Sequence, residues 1–115
     1  MADAATIHDL YRAFNARDVD ALLAAMAPDV RWANGWEGGF VHGRDEVREY
    51  WRRQWAEIDP RVEPVGIEER PDGATEVRVH ALIHDLEGRQ IAENDVLHVY
   101  RFRDGLIAEM TIEEE

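Results

Sequence analysis

The feature that most constrains this chain is a change in hydrophobic periodicity near residue 60. Before it, apolar residues recur at helical spacing, as Ile7, Leu10, Tyr11 and Phe14 do. After it, apolar and polar residues alternate, as in "TEVRVHALIHD" at 75–85. Helices with one apolar stripe and strands with one apolar face bury those surfaces against each other. The pattern therefore predicts an α+β fold, with helices followed by a mostly antiparallel sheet.

Three helices are predicted in the first half of the chain. The first contains the stripe just described, and Asp18 can cap a short second helix that Pro28 ends. After a short strand at 30–32, a glycine-rich loop follows, and Asp45 is expected to cap the third helix, which ends at Asp59–Pro60. The apolar stripe of this third helix consists of Val47, Tyr50, Trp51, Trp55 and Ile58.

Four antiparallel strands are predicted after residue 60. Turn signals at 71–73, 86–88 and 103–105 separate them, and Pro64 suggests that the first is an edge strand or contains a bulge. A curved sheet wrapped around helices leaves a cavity at its open end. The sequence has no internal repeat or linker, so residues 1–115 are predicted to form a single domain.

Composition excludes several classes of function. The net charge is −12, and all thirteen basic residues are arginine, which makes nucleic acid a poor candidate partner. The chain has no cysteine, so disulfides and thiolate metal sites are excluded. No stretch approaches the roughly 20 apolar residues needed to span a bilayer, and the N-terminus lacks a signal-peptide pattern. A cytoplasmic protein with no membrane partner is expected.

Three segments resemble the NTF2-like superfamily, in particular its SnoaL-like and ketosteroid-isomerase-like branch. They are "LYRAFNARDVDALLAAMAPDVRW", "HGRDEVREYW" and "HVYRFRDGLIAEM", in this order. The resemblance implies a cone of three N-terminal helices packed on a curved, mostly antiparallel sheet that encloses a pocket. It also implies a small hydrophobic or carbonyl-containing ligand, no cofactor, and a homodimer through the outer sheet face. It implies no single reaction, because this fold hosts several kinds of enzyme as well as non-catalytic binders.

The full set of catalytic residues of the family's steroid isomerases is not present in this sequence. The resemblance places Leu10 at the position of the family's first-helix tyrosine, and Asn34 at that of its general-base aspartate. It places His98 at the position of the protonated aspartate and Trp51 at that of a pocket tyrosine. Steroid isomerase activity itself is therefore not expected.

The register of the two hairpins decides which side chains line the pocket. A three-residue turn at 86–88 pairs His80 with Asn94, and the same turn form at 103–105 pairs His98 with Met110. We favour this register, which places His80 and His84 inside and leaves an apolar outer face for a partner subunit. A two-residue turn at 87–88 instead faces these two histidines outward and turns a set of apolar residues inward: Val77, Val79, Ala81 and Ile83. In both registers His98 shares a face with Asn94, Val96 and Tyr100.

The candidate catalytic residues are His98, Asn34 and Glu37. His98 could act as a general base with an ordinary pKa near ~6.5, or it could be a buried histidine bonded to one neighbour. Asn34 could donate an amide hydrogen to a carbonyl, and Glu37 could act as a base. The alternative for both is a solvated loop in which Asn34 and the glycines supply turn geometry.

The candidate ligand-binding residues are mostly aromatic: Trp32, Trp36, Tyr50, Trp51, His80, Asn94 and Tyr100. Trp55 is expected to be plain core, and no metal site is expected because the linear spacing of the histidines supports none. Two functions remain open. One is cofactor-independent proton transfer on a carbonyl-containing or polycyclic substrate, as in isomerisation, cyclisation or dehydration. The other is non-catalytic small-molecule binding or sensing, and a protein-interaction module is a third, more distant possibility.

Overall fold

The computed structural model describes residues 4–35 and 37–114. The described part has three helices and six strands, confirming the predicted α+β class and helix count. In chain order the elements are α1 (Ala4–Asn15), α2 (Val19–Ala24), β1 (Met26–Ala33), β2 (Phe40–His42), α3 (Gly43–Glu57), β3 (Asp59–Glu69), β4 (Thr75–His84), β5 (Gln90–Arg103) and β6 (Leu106–Glu114).

The strands form one curved, unclosed sheet in the order β2-β1-β6-β5-β4-β3. The strands β3 to β6 form the predicted antiparallel meander, and β1 joins it in parallel beside β6. β3 lies at one edge, with an irregularity between Pro64 and Gly66 as the proline predicted. The helices pack on the inner face of this sheet and close one side of the cone.

The ends of the helices correct parts of the prediction. Asp18 caps α2 as expected, accepting from the backbone N–H of Ala21. Pro28 does not end this helix, because the chain already leaves it at Ala25 and Pro28 lies within β1. The predicted loop also contains the short strand β2, which pairs with β1. As a result α3 begins earlier than expected and Asp45 does not cap it; the N-cap is His42, whose N–H donates to Glu46 at 2.8 Å.

The favoured register of the β4–β5 hairpin is correct next to the turn and wrong from Ile83 onward. Asp85 and Arg89 close the turn and His84 pairs with Gln90, as predicted. A β-bulge then shifts the register by one residue, so that His80 pairs with Asp95 and Ala81 with Asn94. The bulge therefore produces the alternative inward face without a two-residue turn.

The β5–β6 hairpin also differs from the favoured form. Arg103 pairs with Leu106, which leaves a two-residue turn of Asp104 and Gly105, both with positive φ. A second irregularity follows, and Met110 consequently pairs with Tyr100, while His98 pairs with Ile112. The prediction that His98, Tyr100 and Met110 lie on one face is still correct, because the bulge restores the predicted alternation of side chains across the sheet.

The outer face of β4 is charged, which corrects the predicted apolar face on this strand. Val77, Val79 and Ala81 point inward and are buried. The opposite face carries ion pairs, such as Arg31–Glu109 at 2.8 Å, and Arg70 bonded to both Glu76 and Glu113. The apolar patch on which the dimer prediction depended is therefore absent from the described part of β4, and the homodimer stays a prediction. None of the helices within residues 4–35 and 37–114 is long and apolar enough to cross a membrane.

Candidate active site

A cavity of about 200 Å³ lies between the helices and the inner face of the sheet. The described residues that line it include no Asp, Glu, Lys or Arg, and most of them are apolar or aromatic. It is thus a largely apolar chamber with a few neutral polar groups, as is typical of small-molecule sites. The polar or hydrogen-bonding side chains in its wall are Tyr11, Trp32, Tyr50, Trp51, Gln54, Asn94, His98 and Tyr100.

The polar centre of the cavity is a cluster of three side chains from α1 and β5. The Tyr11 hydroxyl lies 2.7 Å from Nδ1 of His98 and 2.7 Å from the Tyr100 hydroxyl. The rings of Tyr11 and His98 are stacked, with centroids 5.9 Å apart. Burial raises the pKa of both tyrosines, so both hydroxyls are protonated at neutral pH. We call these three residues the Tyr–His–Tyr cluster.

His98 is a neutral imidazole at physiological pH. It keeps a small accessible surface, but protein atoms enclose it, and this burial lowers its pKa to about 4. The expectation of an ordinary pKa near ~6.5 is therefore wrong. His98 can accept a proton only as a weak base, and with Tyr11 it also fits the alternative of a buried histidine bonded to a neighbour.

Tyr11 is the residue that the sequence interpretation missed. The resemblance assigned the first-helix position to Leu10, which lines the cavity but has no hydroxyl. Tyr11, one residue later, supplies a buried hydroxyl at the cavity wall. Both residues belong to the apolar stripe of α1, and a tyrosine within that stripe was the available signal, since a buried phenol needs a partner.

The tryptophans divide between the cavity wall and its support. Trp32 and Trp51 both line the cavity and meet edge to face at 5.5 Å. Trp55 stacks behind Trp51 at 5.7 Å, and the Arg17 guanidinium lies over its ring at 4.9 Å. This supporting position agrees with the prediction of Trp55 as core, whereas Trp36 lies outside the described residues.

Asn34 and Glu37 are engaged with each other on the loop before β2. The Asn34 amide donates to the Glu37 carboxylate at 3.0 Å and accepts from the Glu37 backbone N–H at 2.7 Å. Arg53 of α3 also donates to this carboxylate at 3.1 Å. The hydrogen bonds from Asn34 and then Arg53 hold the pKa of Glu37 below its ordinary value, which weakens it as a base. These contacts match the turn geometry of the structural alternative, but Asn34 is buried rather than solvated.

The ligand-binding candidates on β4 and β5 separate because of the bulge. Asn94 lines the cavity, whereas His80 is not among the described lining residues. His80 faces outward, where its ring bonds to Asp95 at 2.6 Å and approaches Glu93 at 2.8 Å. The hydrogen bond that the His80 ring donates to Asp95 raises the pKa of His80. In the described ranges, no group of three or more His, Asp or Glu is placed to hold a metal ion.

The structure is a small α+β cone whose apolar cavity has a polar cluster in its wall. Residues 7–110 match the family model of the SnoaL-like domain. The chain therefore belongs to the SnoaL-like domain family of the NTF2-like superfamily, as the sequence resemblance predicted.

Solved structures agree with this assignment. An NTF2-like protein of unknown function from Burkholderia pseudomallei is 31% identical, with 96% of this chain and 88% of that chain covered and a TM-score of 0.81. TerC co-crystallised with polyporic acid is 25% identical, with coverages of 92% and 85% and a TM-score of 0.78. A putative polyketide cyclase from Pseudomonas putida is 22% identical, with coverages of 92% and 86% and a TM-score of 0.71, and supports the fold alone. No curated protein matches the chain.

Proposed function

We propose that this protein binds a small, uncharged, ring-containing molecule in the cavity and hydrogen-bonds one of its oxygen atoms through Tyr11. The observation that carries the proposal is the apolar, aromatic-walled cavity with the Tyr–His–Tyr cluster in its wall. Ligands gain free energy from apolar contact and orientation from a few polar groups in such sites. The binding of polyporic acid by TerC, a similar protein, supports a ring-containing ligand.

One proton arrangement leaves Tyr11 free to bind the ligand. If His98 donates its Nδ1–H and Tyr100 donates its O–H, both to the Tyr11 oxygen, the two lone pairs of Tyr11 are used. The Tyr11 O–H then points to a third acceptor, which we assign to the ligand oxygen. In this arrangement Nε2 of His98 keeps its lone pair.

Binding is tested with 2-tetralone, a two-ring ketone, by isothermal titration calorimetry. We expect Tyr11→Phe to weaken binding by about tenfold, because the carbonyl loses its donor. Ala81→Phe should abolish binding, because Ala81 lines the cavity and a phenyl ring would fill it. Ala56→Phe on the exposed side of α3 is the matched control and should bind like the wild type. Equal affinity in the Ala81→Phe and Ala56→Phe variants would refute binding in this cavity.

A second candidate function is cofactor-independent proton transfer, and the 2.7 Å contact between Tyr11 and His98 favours it. Tyr11 would stabilise the developing enolate oxygen, and Nε2 of His98 would take the proton from the adjacent carbon. Because the pKa of His98 is about 4, this step suits an acidic C–H bond beside one or more carbonyls.

Isotope exchange separates catalysis from binding alone. Wild-type protein in D₂O should exchange the acidic α-protons of 2-tetralone faster than buffer does, followed by mass spectrometry. His98→Gln should return exchange to the buffer rate while the dissociation constant changes by less than about threefold. Binding without any acceleration in the wild type would leave the protein a non-catalytic binder.

A further inference from the structure

The third helix carries an unpaired hydrogen-bond acceptor on a residue of the cavity wall. Gln54 lines the cavity, and its Oε1 atom is buried without a hydrogen-bond partner in the described structure. Among the described residues, its Nε2 atom makes a long contact of 3.4 Å with the Tyr50 hydroxyl. A buried amide oxygen without a partner is uncommon in folded proteins and costs stability, so its presence in a cavity wall suggests that a ligand completes it.

Neighbouring groups do not satisfy this oxygen. The adjacent Trp55 has a buried Nε1–H that is also unpaired in the described structure, so the two atoms are not bonded to each other. Trp55 is not among the described residues of the cavity wall. The Tyr–His–Tyr cluster belongs to α1 and β5, whereas Gln54 belongs to α3. The cavity wall therefore holds a second polar side chain, on a separate element from the cluster.

The size of the cavity limits what can reach both contacts. Its volume of about 200 Å³ is near that of an apolar cavity of roughly 150 Å³ that accommodates benzene. One or two fused rings fit this volume, and a four-ring skeleton exceeds it. The aromatic rings of Trp32 and Trp51 in the cavity wall favour a flat molecule.

We propose that the natural ligand is a one- or two-ring aromatic molecule carrying a hydroxyl group, and that this hydroxyl donates to Oε1 of Gln54. This proposal depends on the proposed function, since it names the class of molecule that the same cavity binds. In this proposal Gln54 determines specificity: it selects ligands with a hydroxyl group over ligands that have an ether oxygen or a hydrogen atom at the same ring position.

Three probes that differ at one position test the proposal: naphthalene, 2-methoxynaphthalene and 2-naphthol. Isothermal titration calorimetry compares their affinities for wild type, Gln54→Met and Gln90→Met. Methionine approximates the shape of glutamine but removes the acceptor, and Gln90 is the other glutamine of the chain, exposed on β5. We expect wild type and Gln90→Met to prefer 2-naphthol to 2-methoxynaphthalene by about tenfold, and Gln54→Met to lose this preference.

The outcomes separate this proposal from the function on which it depends. If none of the probes and no 2-tetralone bind to wild type, the proposed function fails. If they bind but Gln54→Met keeps the preference for 2-naphthol, the hydroxyl donates elsewhere and only the assignment of Gln54 is overturned. If the hydroxyl donates to His98, the preference for 2-naphthol should be lost in His98→Phe and kept in Gln54→Met.

A crystal structure of wild-type protein with 2-naphthol provides a test that needs no variant. The naphthol oxygen should lie about 2.7 Å from Oε1 of Gln54. A naphthol oxygen bonded only to Tyr11 or His98 would overturn the assignment, whatever the stability of Gln54→Met.

Discussion

The two faces of β4 and β5 use polar side chains in opposite ways. On the inner face, the partly buried His98 and the buried Tyr100 are uncharged and joined through Tyr11. On the outer face of the same strands, His80 and Arg101 stand beside carboxylates and are partly exposed to water. Burial lowers the pKa of His98 to about 4, whereas the Asp95 hydrogen bond raises that of His80. One sheet thus shifts the pKa values of two histidines in opposite directions, because desolvation dominates inside and a hydrogen bond to a carboxylate dominates outside.

The comparison predicts that the largest losses of stability come from the inner face. Trp51 is 1% exposed and contacts Phe14, Trp32 and Trp55. Trp51→Ala should lower the free energy of unfolding by about 3–5 kcal/mol, since it removes an indole and leaves a cavity. Urea denaturation followed by circular dichroism measures the loss. A loss below about 1 kcal/mol would show that this wall of the cavity collapses around the missing ring.

The buried histidine should make stability depend on pH. Below the ordinary pKa of ~6.5 the unfolded chain protonates His98, while the folded protein resists protonation down to about pH 4. The stability contribution is therefore present above pH 6.5 and is lost as the pH falls to 4, by about 3 kcal/mol in total.

His98→Gln is the matched control for this pH dependence. Glutamine can bond to Tyr11 without titrating, so the difference in unfolding free energy between wild type and variant should grow as the pH rises from 4 to 6.5. Urea titrations at several pH values measure it. A difference that stays constant over this range would mean that His98 titrates normally.

Substitutions in the Tyr–His–Tyr cluster should lower the free energy of unfolding by a smaller amount, and one of them should cost more than the other. Tyr11→Phe removes the partner of both His98 and Tyr100, whereas Tyr100→Phe removes only one bond. We expect losses of about 2 and about 1 kcal/mol, respectively, by urea denaturation. The reverse order would contradict the central position of the Tyr11 hydroxyl.

The smallest effect is expected on the outer face. Arg101 bonds to Asp72 at 2.8 Å, but both side chains are about half exposed. Arg101→Met should barely change the unfolding midpoint, because water screens an exposed ion pair and the ordering of two long side chains offsets its energy. Adding salt should shrink even that difference. A loss as large as that of Tyr11→Phe would show that the outer ion pairs act as a cooperative network.

The local sequence predicted much of the fold. The period-two alternation gave the strands β3 to β6, Pro64 marked the edge strand, and Asp18 marked the start of α2. The short strand β2 was not predicted, because three residues carry too little periodicity and its pairing partner lies in β1. The prediction that Asp45 caps α3 was wrong for the same reason, since β2 brings His42 to the start of this helix.

What the sequence by itself determined is the α+β architecture, the family and the face that His98 shares with Asn94 and Tyr100. The tertiary structure decided the rest of the site. The bulge after Gln90 turned His80 outward, the fold around His98 removed its charge, and the loop contacts paired Asn34 with Glu37. Alternation and spacing are local properties of the chain, whereas register shifts, desolvation and hydrogen-bond partners depend on residues that only the folded chain brings together.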